Sequence, residues 1–153
     1  MKAGQAMARE VHTISPDATA AEAALLMRST GHGTLPVVDS EGRVLGLITR
    51  TALVRRCLPE YLEQVGDLYH SGEFQPFRDK AEEVGLLAVR DVMQPDPLTV
   101  SEDTPLAEVA SLMIMHHVRQ LPVLKDGRLV GIVGMQDIVD KIAWPEPEEN
   151  RDS

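Results

Sequence analysis

Apolar positions along this chain follow two patterns, a helical stripe and short continuous runs. From Leu106 to Ile114 they fall at Leu106, Val109, Ala110, Met113 and Ile114, the i, i+3, i+4, i+7, i+8 spacing of a helix with one buried face. Thr104 and Pro105 supply its start, a hydroxyl cap followed by a first-turn proline. An earlier helix is signalled by Thr19 and Glu22, spaced as a capping box in which hydroxyl and carboxylate satisfy otherwise unpaired amides. Between the helices the apolar residues cluster in short runs, LPVV, VLGLI, LPVL and LVGIV, which read as strands. Gly31 and Gly33 can take positive φ ahead of the first run, and Pro36 is expected at a strand start, where a missing amide does least harm. Asp126 with Gly127 is a strong hairpin signal, and SEGR makes a looser counterpart. A short strand at Thr13 and Ile14, ended by SPDAT, and a helix from TRTALVRRCL complete the order strand, helix, strand, strand, helix.

That order occurs twice. Setting Thr13 against Thr99 pairs Met7 with Met93, Ser15 with Ser101, Asp17 with Asp103, Glu22 with Glu108, Met27 with Met113, Leu35 with Leu121, Pro36 with Pro122 and Val37 with Val123. Ser40 has no partner, and beyond it the register shifts by one, so that Gly42, Arg43, Gly46 and Leu53 meet Gly127, Arg128, Gly131 and Ile138. Identities scattered over helix, turn and strand positions point to an internal duplication. On this reading residues 1–57 are the first copy, 58–88 a helical connector, 89–143 the second copy and 144–153 an acidic tail. Pro59 and Pro76 are expected to open two short helices, PEYLEQV and PFRDKAEEVGLLAV, separated by SGEFQ. The connector holds both Tyr and both Phe residues, so it is expected to pack on the core, whereas the tail is expected to fray after Trp144.

Composition narrows the class. A chain of 153 residues buries enough surface to fold without a metal or disulfide staple. Cys57 is the single cysteine, and no apolar run is long enough to span a bilayer, so a reducing cytoplasm is the expected setting. Lys and Arg number 15 against 24 Asp and Glu, a net charge of −9 that opposes nucleic acid. Aromatic content of 3% gives little to a membrane-surface helix.

Two copies of strand, helix, LPVV or LPVL, a glycine-containing hairpin, then GLITRTA or GIVGMQD, with VRDVM leading into the second copy, resemble a tandem pair of cystathionine β-synthase (CBS) domains. The resemblance implies an α/β (α+β) fold of two βαββα repeats, packed about a pseudo-twofold axis with a helical insert between them. It further implies clefts between the repeats that bind adenosine-containing ligands such as AMP, ADP, ATP or S-adenosylmethionine, and pairing of modules into a homodimer through their helices. The expected role is therefore a regulatory ligand sensor acting on a protein partner that the sequence does not name. The alternative is a ligand-independent dimerisation or scaffold module.

In that family the ribose and phosphate contacts come from a GhhTxxD pattern, where h is apolar. A carboxylate can accept from both ribose hydroxyls, and a hydroxyl with helix N-terminal amides receives phosphate. The first copy has Gly46, Thr49 and Ala52, and the second has Gly131, Gly134 and Asp137. The first keeps the hydroxyl without the carboxylate and the second does the reverse, which favours the second copy. By the same resemblance the base lies beside Thr99, Val100, Val118, Arg119, Gln120, Leu121 and Pro122, or, in the first copy, beside Thr13, Ile14, Gly33, Thr34, Leu35 and Pro36.

Each of these has a plainer reading. Asp137 fits a first-turn carboxylate favoured by the helix dipole, and Thr49 fits a helix cap. Arg50 and Arg119 could face a phosphate, but exposed arginines are ordinary surface. His116 and His117 are adjacent and His32 sits in the equivalent loop of the first copy, but adjacent residues on a helix end point about 100° apart and lack the i, i+4 spacing of a metal pair, so all three read as loop and rim residues and no metal site is expected. No nucleophile with a visible base, no Ser, His, Asp set and no phosphate-loop glycine pattern argues for catalysis. Cys57 is expected in helix packing, and Met27 and Met113 as core or interface filler.

Overall fold

A computed structural model describes residues 1–58 and 75–143. Tyr61, Tyr69, Phe74, the helix expected from Pro59 and the tail from Trp144 lie outside the described residues. The chain divides into two compact units, one of residues 1–11 and 98–153 and the other of residues 12–97.

The unit of residues 12–97 carries α2 (Ala20–Thr30), β1 (Thr34–Val38), β2 (Val44–Thr49), α3 (Arg50–Cys57), α4 (Gln75–Gly85), α5 (Val89–Val92) and β3 (Gln94–Pro95). Its capping box forms as the sequence dictates. Thr19 Oγ1 accepts from the Glu22 amide at 3.1 Å, and the Glu22 carboxylate accepts from the Thr19 amide at 3.1 Å. The helix stops at Gly31, which takes φ 76° and donates to the Met27 carbonyl, while Gly33 is not among the positive-φ residues. The sheet order is β1-β2-β3, all antiparallel. The short strand expected at Thr13 and Ile14 reduces to one parallel bridge, Ile14 with Val37. Pro36 lies in the interior of β1 rather than at its start. Its carbonyl accepts from the Ile14 amide, so its missing N–H falls on the side where the single bridge ends and no ladder bond is lost.

The other unit carries α1 (Ala3–Ala6), β4 (Val100–Ser101), α6 (Leu106–His116), β5 (Gln120–Lys125), β6 (Arg128–Gly134), α7 (Met135–Ile138) and a π-helical turn (Val139–Ala143). The sheet order is β4-β5-β6, with β4 parallel to β5 and β5 antiparallel to β6. Asp126 and Gly127 take φ 52° and 77°, the left-handed pair that a tight two-residue hairpin needs. The first hairpin absorbs Ser40 by a longer turn, in which Asp39 Oδ1 accepts from the amides of Glu41 and Arg43 at 2.8 and 3.0 Å. Thr104 does not cap α6. Its hydroxyl accepts from the Ser101 amide at 3.0 Å, and Pro105 takes the cap position without a side-chain bond. Of the expected apolar stripe Leu106, Val109 and Met113 are buried and Ala110 is partly buried, whereas Ile114 is 66% exposed.

Units and repeats do not coincide, because the lead-in segments change places. Ala8 makes a two-bond bridge to Ile132, with N···O distances of 2.8 and 3.0 Å. At the aligned position Gln94 and Pro95 pair with β2 at Leu47 and Gly46. Each sheet thus receives on its last strand the segment that leads into the other copy. Gly46 and Gly131 make this possible. A Cβ on Gly46 would lie 2.6 Å from the Gln94 carbonyl and 2.7 Å from Met93 Sδ, and one on Gly131 would lie 2.5 Å from Met7 Sδ and 2.8 Å from the Ala8 carbonyl. Backbone on one side leaves no room for a side chain.

The two cores differ in how they are filled. α2 offers Ala20, Ala23 and Met27, and Val84 of the connector helix α4 joins that cluster. α6 offers Leu106, Val109 and Met113, with no connector residue among the described residues. The described part of the connector therefore packs, as expected, but through Val84, while Phe77 is 42% exposed. That helix ends at Gly85 rather than running to Val89. Met27 and Met113 fill the cores at 2% and 1% exposure. Cys57 is half-buried against the first core, and desolvation pushes its thiol pKa up.

Candidate functional site

At the end of β2 and of β6 the chain passes from strand to helix through the same backbone frame. The Arg50 amide donates to the Gly33 carbonyl at 3.0 Å, and the aligned Met135 amide donates to the Arg119 carbonyl at 2.9 Å. The frame ties each strand-to-helix turn to the loop before LPV. On it, the two copies satisfy the helix start by opposite means. Thr49 Oγ1 accepts from the Ala52 amide at 3.0 Å. In the second copy Asp137 Oδ2 accepts from the Gly134 amide at 2.7 Å. T-x-x-D is itself a capping-box spacing, and each copy has kept one half of it.

Asp137 is half-buried and uses one oxygen for this cap. Among the described residues its other oxygen, Oδ1, makes no hydrogen bond. A charged acceptor with a vacant oxygen beside a turn is able to receive a hydroxyl. Thr49 is also half-buried, but Ala52 places no acceptor beside it. The plain cap readings of both residues are therefore structurally real, and of the two only Asp137 has a spare carboxylate oxygen.

Around Asp137 the structure gathers Gly134, Arg119 and Gln120. Gln120 is opposite Gly134 in the β5–β6 register, and a Cβ on Gly134 would lie 3.6 Å from Gln120 Cγ and from the Arg119 carbonyl. Arg119 is exposed. Val118 is partly buried against the core, and Leu121 and Pro122 are buried, so these offer backbone rather than side chains. Thr99 and Val100 lie across the sheet on the far side of β5 from β6, with Val100 buried. In the first copy Thr34 is opposite Thr49 in register, Thr13 is exposed, and Ile14, Leu35 and Pro36 are buried. Arg50 lies over Gly33, where a Cβ would be 3.6 Å from its Nη1. His117 ends α6 in the left-handed conformation, φ 54°, and His116 is the last residue of that helix. Reading along the sequence missed the approach of His12 to His32, whose ring centres are 5.5 Å apart. They are far apart in the chain, and only the Ile14–Val37 bridge brings their neighbourhoods together.

Comparison with known proteins matches both copies to one family. The CBS domain family matches residues 3–58 and 89–143. A CBS domain-containing protein of Dictyostelium discoideum is 32% identical over 154 residues, covering 95% of this chain and 96% of that protein. An inosine-5'-monophosphate dehydrogenase of Methanocaldococcus jannaschii is 28% identical across 98% of this chain, which spans only 25% of that enzyme. The crystal structure of CBSX2 in complex with AMP superposes with a TM-score of 0.70 at 25% identity, covering 90% of this chain and 92% of that one.

Proposed function

The chain belongs to the CBS domain family, and from that premise we propose that it is a regulatory module that senses an adenosine-containing ligand through its second repeat. The vacant Oδ1 of Asp137 carries the reading. One carboxylate oxygen holds the turn through Gly134, and the other accepts from a ribose hydroxyl, a charge-assisted bond worth about 1.5–3 kcal/mol. The AMP complex of CBSX2 supports the ligand class, and the backbone of residues 118–122 with Thr99 and Val100 is the surface offered to the base. Binding changes the module's dealings with a protein partner only as far as the ligand prefers one arrangement of the chain over another. In this reading the chain binds and does not catalyse.

Calorimetric titration with AMP, ADP, ATP, S-adenosylmethionine and cyclic dinucleotides tests it. At least one should bind below millimolar, and Asp137→Ala should weaken it by tenfold or more, about 1.4 kcal/mol. No binding, or undiminished binding by the variant, removes the assignment.

A second reading has its own observation. Both Thr49 and Asp137 have a structural role as helix caps, while Leu25, Ile114 and Met115 expose 57%, 66% and 71% of their surface. Apolar helix faces of this kind suit a ligand-independent homodimer or scaffold. Light scattering across a concentration range with and without AMP separates the two: the scaffold dimerises regardless of nucleotide.

A further inference from the structure

We propose that His12 and His32 form a two-imidazole site for a divalent transition-metal ion in the unit of residues 12–97. Their ring centres lie 5.5 Å apart with the planes at 38°. Two imidazoles bound to one zinc, with Zn–N about 2.0–2.1 Å and near-tetrahedral angles, hold their ring centres roughly 5 Å apart. The observed separation needs only small side-chain rotation, and both rings are exposed and free to turn.

The backbone on each side is fixed. His32 follows Gly31, which closes α2 through its bond to the Met27 carbonyl, and the next residue, Gly33, accepts from Arg50. His12 is two residues before Ile14, whose amide and carbonyl both bond to β1 at 3.0 Å. Neither imidazole makes a hydrogen bond among the described residues, so both rings have nitrogen lone pairs to offer.

The duplication supplies an independent argument. The aligned residues in the other copy are Leu98 and Val118, which are partly buried against their core. Folding at this place is therefore served by apolar side chains, and the first copy has instead two exposed imidazoles facing each other. Among the described residues no third His, Cys, Asp or Glu completes a set of three. The remaining coordination positions go to water or an added ligand, and imidazole donors select zinc, copper(II) or nickel(II) over magnesium.

The test uses metal-stripped full-length protein titrated with zinc alone, with magnesium in parallel. One zinc per chain is expected, with the imidazole resonances of His12 and His32 shifting and no response to magnesium. The variant H12L/H32V adopts the residues that the other copy carries and so keeps the fold, checked by circular dichroism. It should lose more than the roughly 10–100-fold that loss of an outer-shell partner costs a metal site. A variant with His70, His116 and His117 changed to Ala and Cys57 to Ser should bind zinc as the parent does. Zinc affinity unchanged in H12L/H32V, or no zinc bound at millimolar concentration, overturns the proposal.

Discussion

The turn after β2 and the turn after β6 share a backbone frame and differ in the atom that caps the helix. In the first a neutral hydroxyl, Thr49 Oγ1, serves the Ala52 amide. In the second a carboxylate, Asp137 Oδ2, serves the Gly134 amide. The hydroxyl is a sufficient cap, but the turn it closes holds no charged acceptor. The carboxylate caps with one oxygen and leaves the other without a hydrogen bond among the described residues. A duplicated scaffold thus keeps a cap in both copies, while the proposed reading assigns ligand binding to one.

The cores offer the largest contrast to break. Leu106→Ala makes α6 resemble α2 in a core that, among the described residues, has no connector side chain to fill the gap, and should cost about 2–5 kcal/mol in urea unfolding. Ala20→Leu, the converse change against a core that Val84 already completes, should cost about 1–3 kcal/mol by overpacking. Equal stability of both variants and parent would show that the two cores do not differ as described. Gly46→Ala and Gly131→Ala test the exchange of lead-ins. Each sets a methyl against a carbonyl of the incoming segment, and each should lower stability by about 1–3 kcal/mol. If either is neutral, the pairing at that strand is absent in solution.

The caps come next. Thr49→Ala and Asp137→Ala should each cost about 1 kcal/mol. Asp137→Asn retains a side-chain acceptor for Gly134 and should cost less. The smallest effect is that of pH. In the first hairpin backbone bonds from Arg43, then Glu41, hold the Asp39 carboxyl below its ordinary value of 3.8. The charged form is thus favoured in the folded chain, and this contribution is present above that value and lost as pH falls through the lower folded one. Position 125, aligned with Asp39, is a lysine, so the second hairpin has no such term. Asp39→Asn should flatten the acid limb of a thermal-melting profile, and an unchanged limb would place it elsewhere.

Much of this was legible in the chain because it is local. The Thr19–Glu22 box, the Asp126–Gly127 turn and the paired strands follow from neighbours a few residues apart, and the duplication repeats each signal. The exchanged lead-ins were not legible, since nothing in the sequence around Ala8 names Ile132 as its partner. Gly46 and Gly131 inside apolar strands were the available trace of a close backbone approach. Pro36 was misplaced because a strand interior tolerates proline when one edge ends there. Thr104 departs from its expected cap role because its hydroxyl accepts from the Ser101 amide and Pro105 stands at the cap position. At the site, Asp137 was legible as a residue but not as a cap with a spare oxygen, which depends on three-dimensional geometry.

Titrating AMP calorimetrically into the parent and into Asp137→Asn addresses the central claim most directly. The account predicts one AMP per chain, with binding to the variant weakened by about 1.5–3 kcal/mol, roughly ten- to a hundredfold, while its unfolding midpoint stays close to the parent's. Two AMP molecules per chain, or full affinity in Asp137→Asn, would contradict it.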